Sequence, residues 1–390
     1  MTVPWVVILC PEKILKGMII LMKFTCDKSE LQQAVNICSR AVAAKSPLPA
    51  LEGILINAGE ALRLTGYDLK EGIYTELDAE IEEYGSIVIG ARFLSEMLRR
   101  MPDGRVSLTT DEELNVYVVC GKNEYKFVGL STEDYPEMPE IKAVNSIKLP
   151  MPILKSMIVQ TIFAVADTDI RPIYTGALFD IREDILHIVA VDGYRLAKRT
   201  ESFTDRNMEN CSFVVPGDAL SDIERICSDD NEKEVMISVG DKHISFTIDN
   251  TVVLTRRLEG EFMNYEKSLP TEFDRIITVS RAELLSSIDR VSLIISEKNN
   301  CPVRMKFDDD RIQLSCLNPV GKAEDVCFCE GDGRGMEIGF NNRYMTEALK
   351  AAGVEKIKLC LISPTRPCVI KAEDESDKFT YMILPVRLKN

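Results

Sequence analysis

The stretch FTCDKSEL at residues 24–31 places a short strand directly before a helix, and the same pattern occurs twice more along the chain. Its counterparts are IKLPMPIL at residues 147–154 and ITVSRAEL at residues 277–284. In each copy an apolar strand residue precedes a helix leucine by seven positions, and the copies start 123 and 130 residues apart. Because self-similarity at a fixed period indicates repeated structural units, the chain is predicted to contain three copies of one domain.

Each copy continues with the same succession of strands and a second helix. A strand that leads into a helical pattern recurs at residues 86–101, 212–227 and 336–353. The intervening stretches alternate apolar and polar residues, as in LRLT at 62–65 and IQLS at 312–315, which is typical of half-buried antiparallel strands. Each unit is therefore predicted to be an α+β domain with two helices packed against two antiparallel sheets, which leaves one face of each helix exposed.

Two connectors separate the repeats. Residues 130–139 and 258–270 are rich in proline, acidic and turn-forming residues, and Tyr135 and Tyr265 occupy matching positions in them. We expect each tyrosine to pack its connector onto the preceding domain. The predicted organisation is an extension outside the fold over residues 1–21, followed by domains over residues 22–143, 144–271 and 272–390.

The composition is that of a globular protein with an acidic surface. The 390 residues include 62 Asp and Glu against 47 Lys and Arg, a formal charge of −15, and 45% of them are hydrophobic. A surface that is acidic everywhere would repel nucleic acid, but local basic patches are compatible with this balance. Basic residues slightly outnumber acidic ones on the predicted helices, so the acidic excess lies mostly elsewhere.

The cysteine and histidine contents argue against several kinds of site. Twelve cysteines without a CxxC pair or a secretory signal predict reduced thiols in a cytoplasmic protein rather than a disulfide framework. The two histidines, His187 and His243, lie in apolar, strand-like runs, so neither a histidine-rich metal site nor a Ser-His-Asp triad is supported. The apolar stretches near the N-terminus are too short for a membrane span.

Three short motifs, together with the threefold layout, resemble the bacterial DNA polymerase III β subunits, the sliding-clamp family. The motifs are LTGYDLKEG at 64–72, VAVDGYRLA at 189–197 and YMILPVRL at 381–388, and the resemblance covers residues 22–390. It implies three clamp domains per chain and a head-to-tail homodimeric ring around double-stranded DNA, which slides without sequence specificity. It further implies a processivity factor without a cofactor or a catalytic centre of its own.

The resemblance also implies a partner-binding pocket between the second and third domains. There the replicative polymerase α subunit, the clamp loader and repair proteins would dock short peptide motifs on apolar walls with a few polar donors. Tyr194, Met263 and Ser268 depart from the family pattern, as do the two residues added after Leu388. The implied pocket residues are Tyr174, Val191, Gly193, Tyr194, Arg195, Leu196, Met263, Asn341, Tyr344, Pro367, Met382, Leu384, Pro385, Val386 and Arg387.

The same resemblance implies two further surfaces, one for DNA and one for a second copy of the chain. Beside Arg171, a proposed DNA contact, the residues Pro172 and Ile173 stand where some relatives have aromatic residues. The helix after Pro216 lacks the usual basic residues. The implied DNA-binding residues are Lys45, Arg92, Arg99, Arg100, Arg171 and Lys267. The implied dimer contact joins Phe127 in the first domain to Leu293 and Ile294 in the third.

A metal-dependent nucleic-acid enzyme is the alternative interpretation. Its carboxylates would be Asp167 and Asp169, or the cluster Asp308–Asp310. The cluster lies between two strand patterns, where an Asp-rich hairpin turn is expected. The glycines of residues 331–335 have no GK[ST] after them, so they do not predict a phosphate-binding loop.

Overall fold

All three predicted strand–helix junctions are present in the structure, a computed structural model. Leu31, Leu154 and Leu284 are each at most 1% exposed. The first strand begins at Ile20, two residues before the predicted start of the first domain. Several residues named in the predictions lie outside the described part of the chain: residues 1–19 of the extension, Asp169, Lys389 and Asn390. The structure describes residues 20–139, 141, 145–168, 170–203, 205–207, 209–296, 301–374 and 378–388, with the backbone alone at 20 and 205–207.

The elements follow the repeat. The helices are α1 (Lys28–Cys38), α2 (Ala91–Arg100), α3 (Met151–Val159), α4 (Gly217–Ile226), α5 (Tyr265–Ser268), α6 (Arg281–Val291) and α7 (Asn342–Ala352). The strands are β1 (Ile20–Asp27), β2 (Gly53–Ala58), β3 (Leu62–Tyr67), β4 (Glu71–Leu77), β5 (Glu80–Glu83), β6 (Gly85–Gly90), β7 (Arg105–Asp111), β8 (Asn115–Cys120), β9 (Asn123–Val128), β10 (Ser146–Pro150), β11 (Gly176–Arg182), β12 (Ile185–Val191), β13 (Arg195–Ser202), β14 (Asp205–Asn207), β15 (Cys211–Pro216), β16 (Glu234–Val239), β17 (His243–Ile248), β18 (Thr251–Arg256), β19 (Arg275–Ser280), β20 (Val303–Phe307), β21 (Arg311–Asn318), β22 (Gly321–Glu330), β23 (Met336–Phe340), β24 (Lys356–Leu361), β25 (Cys368–Ala372) and β26 (Phe379–Ile383). Single 3-10 turns cover Ser39–Ala41, Pro49–Glu52, Ile162–Ala164, Pro172–Thr175 and Ser292–Ile294.

Side-chain caps fix several helix starts. The Asp27 carboxylate accepts hydrogen bonds from the backbone N–H groups of Ser29 and Glu30, at 2.7 and 3.3 Å, and thereby begins α1. Ser280 caps α6 in the same way, through the N–H of Glu283. These caps satisfy backbone N–H groups that have no partner within the helix. The local sequence therefore determines where each strand ends and the helix begins.

The chain divides into two compact units, Met1–Glu140 with Asp249–Leu254, and Ile141–Ile248 with Thr255–Asn390. The first unit contains an antiparallel sheet in the order β5-β1-β7-β8-β9, and β6, β2, β3 and β4 pair as neighbours in a second sheet. Helices α1 and α2 lie side by side, and their buried faces carry Leu31 and Val35 on α1 and Leu94 and Leu98 on α2.

The second unit contains two further helix pairs, α3 with α4 and α6 with α7. One extended sheet runs in the order β15-β11-β12-β13-β26-β25-β24-β19-β22-β21-β20-β23, and β14, β10, β16 and β17 pair as neighbours in another. Strands β13 and β26 therefore join the second and third repeats through backbone hydrogen bonds. Three helix pairs on antiparallel sheets are what the repeat predicted.

Both connector tyrosines pack onto their own domains, as predicted. The hydroxyl of Tyr135 donates to the carbonyl oxygen of Thr65 at 3.1 Å. The hydroxyl of Tyr265 donates to Asp180 Oδ2 at 2.8 Å, and burial with this carboxylate raises the pKa of Tyr265. Each connector is thus held to its preceding domain by a buried ring with a satisfied hydroxyl.

The two histidines lie on strands, as expected. His187 is on β12 and His243 on β17. Nδ1 of His187 lies 2.9 Å from Thr200 Oγ1, and burial lowers its pKa to about 4, so the ring is neutral at neutral pH. Of the helices that the structure describes, none combines the length and apolarity that a bilayer crossing requires.

The prediction that the cysteines are reduced thiols is wrong at one pair. Cys301 and Cys316 form a disulfide, with their Cα atoms 6.8 Å apart. Pairing of Arg304 with Ser315 in the β20–β21 hairpin brings Cys301, just before β20, next to the end of β21. No CxxC spacing marks this pair, because the hairpin rather than local spacing creates the proximity.

Candidate functional site

Strands β13 and β26 bring together two segments that are far apart in sequence. Leu196 is the register partner of Met382, and Arg195 that of Ile383. Just beyond the paired residues, the N–H of Leu384 donates to the carbonyl oxygen of Tyr194 at 2.9 Å. The two predicted pocket walls, residues 189–197 and 381–388, are therefore direct neighbours.

A hydrophobic cluster lies beneath this region, the predicted peptide-binding site, which we call the groove. Val191, Leu196 and Met382 belong to the cluster and are 3%, 1% and 8% exposed. Tyr174 and Met263 are half-buried and pack against it. The other buried members are Ile173, Leu178, Val189, Val214, Tyr265, Cys360 and Val369.

Arg195 connects the groove to helix α7. Its guanidinium is nearly buried; its Nε lies 2.9 Å from Asp192 Oδ2, and it also pairs with Glu347. The guanidinium carbon is 4.5 Å from the centroid of the Tyr344 ring. A buried charge that is paired with two carboxylates and packed on an aromatic face is well compensated. Arg195 therefore holds the turn after β12 in the second repeat to helix α7 in the third.

Two tyrosines lie at the rim of the groove. The rings of Tyr194 and Tyr344 stack with their centroids 6.2 Å apart and an interplanar angle of 23°, and Tyr194 is 62% exposed. Beside them Arg343 pairs with Glu347 and with Asp167, at 2.8 and 3.0 Å, and these carboxylates raise the pKa of Arg343. The rim thus offers aromatic surface next to fixed charges.

The turn and proline residues of the predicted pocket also lie here. Gly193 adopts φ +92° in the exposed turn between β12 and β13, a conformation that favours glycine. Pro367 directly precedes Cys368, whose register partner is Ile383. Leu384 and Pro385 follow Ile383 and are half-buried. Side chains with apolar surface therefore remain accessible at the end of β26.

The last predicted pocket residues flank helix α7 and the C-terminal segment. Asn341 caps α7 by accepting a hydrogen bond from the N–H of Arg343 at 2.9 Å. The N–H of Val386 donates to the carbonyl oxygen of Gly339 at 2.8 Å, which ties the segment after β26 to strand β23. Arg387 is exposed.

Three groove residues were not identified from the sequence. Phe262 packs edge-on against Tyr174, with ring centroids 5.4 Å apart. Asp192 and Glu347 hold Arg195. The signal for Phe262 was its position next to Met263 in the connector, whereas the pairing of Glu347 with Arg195 joins residues 152 positions apart and has no local signature.

The predicted DNA-binding residues of α2 are all exposed on one helix. Arg92, Arg99 and Arg100 are exposed, and the only acidic residue of α2, Glu96, is 2.7 Å from Arg99 and 3.2 Å from Arg100. The hydrogen bond from Arg99 lowers the pKa of Glu96, which keeps it ionised. With three arginines and one glutamate, α2 presents a positive face.

The other predicted DNA-binding residues are exposed on loops and on the connector helix. Lys45 lies between two 3-10 turns, and the Arg171 guanidinium is 5.9 Å from the Tyr174 ring centroid. Lys267 lies on α5, where Asn264 accepts a hydrogen bond from its N–H. Helix α4, by contrast, carries three acidic residues and one arginine, which agrees with the missing basic residues noted in the sequence.

Of the residues predicted for dimer contact, one is exposed and two are half-buried. Phe127 is half-buried on β9 and packs edge-on against Phe93, with centroids 4.8 Å apart. Leu293 is 84% exposed in the 3-10 turn after α6, and Ile294 is half-exposed. The carbonyl oxygen of Ile294 accepts a hydrogen bond from Asn318 Nδ2 at 2.7 Å.

The carboxylates of the Asp308–Asp310 cluster are engaged in local pairs. Asp308 accepts from Gln313 Nε2 at 2.8 Å, Asp309 pairs with Arg334, and Asp310 pairs with Arg311. They lie in the turn between β20 and β21, as the hairpin interpretation predicted. In the described part of the chain, no three His, Cys, Asp or Glu side chains group as a metal site would require.

The chain matches three successive domains of one family, the DNA polymerase III beta subunit: the N-terminal domain at residues 22–139, the central domain at 148–264 and the C-terminal domain at 266–387. The beta sliding clamp of Staphylococcus aureus strain Mu50 is 31% identical over 378 residues, which covers 94% of this chain and 100% of that protein.

Solved structures give the same result. The DNA polymerase sliding clamp of Bacillus subtilis is 29% identical, with a TM-score of 0.89 over 94% of this chain and 100% of the other. The beta subunit of DNA polymerase from Streptococcus pyogenes is 26% identical, with a TM-score of 0.88 over 94% and 100%. Three repeated helix pairs on antiparallel sheets define the class of DNA clamp proteins. Within it, the chain belongs to the DNA polymerase III β subunit family.

Proposed function

We propose that this protein is the sliding clamp of a replicative DNA polymerase. Two copies would close head to tail into a ring around double-stranded DNA, slide along it without sequence specificity and tether other proteins to it. The observation that carries the proposal is the threefold repeat of helix pairs, matched along nearly the whole chain to the three domains of one family. It would act in the cytoplasm as an accessory subunit, with no cofactor and no catalytic centre.

The charge distribution supports this role for the helices. An enclosed duplex needs only weak, sequence-independent phosphate contacts, because the ring itself prevents dissociation, and tight contacts would slow sliding. Helix α2, with three exposed arginines, would supply the strongest of these contacts in an otherwise acidic chain. Lys45, Arg171 and Lys267 would add weaker ones. The acidic remainder would repel DNA from other surfaces.

The groove would bind short peptides of partner proteins. Its apolar base of Val191, Leu196 and Met382, its aromatic rim and the half-buried Leu384 and Pro385 suit a leucine or aromatic anchor. The polymerase α subunit, the clamp loader and repair proteins are the proposed partners. Because the groove has fixed walls joined by β13–β26 pairing, little ordering would be needed on binding.

Two edge strands would form the dimer contact. Strand β9 ends the five-stranded sheet of the first unit, and Val128 on it is 69% exposed. In the second unit β22 pairs with β19 only at its C-terminal end, and Val326 and Phe328 on it are 47% and 68% exposed. Among the described pairings, the remainder of β22 has β21 alone as a neighbour.

We propose that β9 of one copy adds to the free edge of β22 in the other. An exposed edge strand with apolar side chains is a template for pairing. Lys126 on β9 and Lys122 in the turn before it would lie near Glu324 and Asp325 on β22, which also pair with Lys322 and Arg290. Phe127, Leu293 and Ile294 would then form the apolar part of the contact.

A topological experiment tests the clamp proposal. The protein is loaded onto a singly nicked circular plasmid with its cognate clamp loader and ATP, and the complex is isolated by gel filtration. We expect the protein to remain on the circle and to leave when one restriction cut linearises the DNA, because a ring slides off an end. Equal retention on circular and linear DNA would contradict enclosure and would favour ordinary surface binding.

Reversing two charges on α2 is expected to weaken the DNA contact. In the variant Arg99→Glu/Arg100→Glu, affinity of the dimer for a short duplex should fall about tenfold or more at low salt, and the slope of log K against log salt should decrease by about 2. Fluorescence anisotropy over a salt series measures both. Arg63→Glu/Arg334→Glu, at two exposed arginines outside the helices, is the matched control and should leave the slope unchanged. Equal slopes in both variants would show that α2 does not contact DNA.

A further inference from the structure

We propose that Cys301 and Cys316 form a reversible redox site that fixes the 3-10 turn Ser292–Ile294 on the third repeat. The disulfide joins Cys301, just before β20, to Cys316 on β21. In the hairpin register Arg304 faces Ser315, so the disulfide adds a covalent tie just beyond the last backbone pairs of β20 and β21. The consequence for the dimer rests on the proposed function, whereas the redox site itself does not.

The disulfide lies on the same strand that holds the turn. Asn318 of β21 donates through Nδ2 to the carbonyl oxygen of Ile294 at 2.7 Å. Residues two positions apart on a strand point to the same face, so Cys316 and Asn318 act from one side of β21. The disulfide therefore anchors the end of β21 that carries Asn318, and Asn318 in turn holds the 3-10 turn.

Oxidation at this pair would be selective. Thiol reactivity requires the thiolate, and burial raises the pKa of Cys26, Cys38, Cys227 and Cys327 to about 12, so these four remain protonated. Burial also raises the pKa of Cys329, to about 11. In the hairpin, by contrast, the fold places two sulfurs within bonding reach of each other.

The two cysteines differ in access, which assigns their order in the reaction. Cys301 is half-exposed and Cys316 is 1% exposed. The Cys301 thiolate would attack a low-molecular-weight disulfide, forming a mixed disulfide and releasing one small thiol. The buried Cys316 sulfur, held within bonding reach of the mixed disulfide, would then attack the Cys301 sulfur, pass its proton to the departing small thiolate and so expel the second small thiol. The two electrons and two protons of the protein dithiol end on the two small thiols, and a dithiol reductant reverses the exchange.

The site would act on the surface next to it. Leu293 is 84% exposed in the tied turn and is proposed to contact the second copy. A turn held by an anchored strand end is more ordered before binding, so less conformational freedom is lost when a dimer forms. The oxidised protein would therefore dimerise more tightly than the reduced one.

The experiment compares the full-length protein oxidised with a small disulfide and reduced with a phosphine, with the state of each cysteine verified by alkylation and mass spectrometry. Hydrogen exchange reports on peptides spanning residues 288–296, and sedimentation reports the dimer dissociation constant. We expect slower exchange of the turn after oxidation and a dissociation constant lower by about fivefold or more. Cys301→Ser and Cys316→Ser should match the reduced protein in both buffers, while Cys211→Ser should respond like the original chain.

The outcomes separate the two proposals. Unchanged exchange of the turn between the two states, or alkylation of Cys301 and Cys316 after oxidation, would overturn the redox site. If hydrogen exchange of the turn differs between the oxidised and reduced states but the protein stays monomeric, the redox site is supported and the proposed dimer is refuted. If hydrogen exchange of the turn differs but the dimer dissociation constant is the same in both states, the redox site is supported and its proposed effect on assembly is overturned.

Discussion

Replacing Leu384 and Pro385 with alanine is expected to weaken peptide binding about 100-fold, which corresponds to about 2.7 kcal/mol. Both side chains are half-buried just past the β13–β26 pairing, beside an apolar base. Truncation removes the apolar surface that an inserted leucine or aromatic anchor would cover, and contacts at the centre of such a site carry most of its binding energy. The backbone bond from Leu384 N–H to Tyr194 does not depend on the side chain, so the groove should keep its shape.

The measurement is fluorescence anisotropy with a labelled peptide from the polymerase α subunit, with sedimentation as the check that assembly is unchanged. Leu48→Ala/Pro49→Ala is the matched control, since it makes the same two chemical changes at an exposed Leu–Pro pair in the first unit. The control should bind the peptide normally. If Leu384→Ala/Pro385→Ala also binds it normally, the peptide site lies elsewhere; if both double variants lose binding, the loss is not specific to the groove.

Much of the fold could be predicted because the repeat is carried by local signals. The leucines seven positions after a strand residue all became buried helix positions, and caps such as Asp27 and Ser280 stand where the strand gives way to the helix. In a strand whose residues alternate between apolar and polar, the sequence shows which side chains face the core, since side chains alternate across a sheet. Each of these signals lies within about ten residues, so one sequence suffices to find it.

The contacts that required the structure are those made between distant segments. Glu347 meets Arg195 because β13 and β26 pair and place α7 beside the turn after β12; neither residue carries a local mark of this. Cys301 and Cys316 are brought together by a hairpin register that alternation predicts only to within a residue or two. Resemblance to a family pointed to the two segments that β13 and β26 join, but not to the ion pairs that hold Arg195 there.

Leu293→Glu is expected to convert the dimer to a monomer, with a dissociation constant raised about 1000-fold or more, equivalent to at least about 4 kcal/mol. Leu293 is 84% exposed, so the substitution should cost the folded chain little. In the proposed contact the new carboxylate would be transferred from water into an apolar interface near Phe127 and Ile294. An unpaired buried charge is strongly unfavourable, and the acidic residues of β22 would add repulsion.

Light scattering after size exclusion measures the result, since the monomer mass is 43.8 kDa and the dimer has twice that mass. Ile170→Glu is the matched control, because Ile170 is an equally exposed apolar residue, at 87%, outside the proposed contact. The original chain and the control should both elute as dimers, and Leu293→Glu as a folded monomer with an unchanged circular dichroism spectrum. If the Leu293→Glu protein remains a dimer at low micromolar concentration, the subunit contact lies on another surface, and the proposed pairing of β9 with β22 is refuted as well.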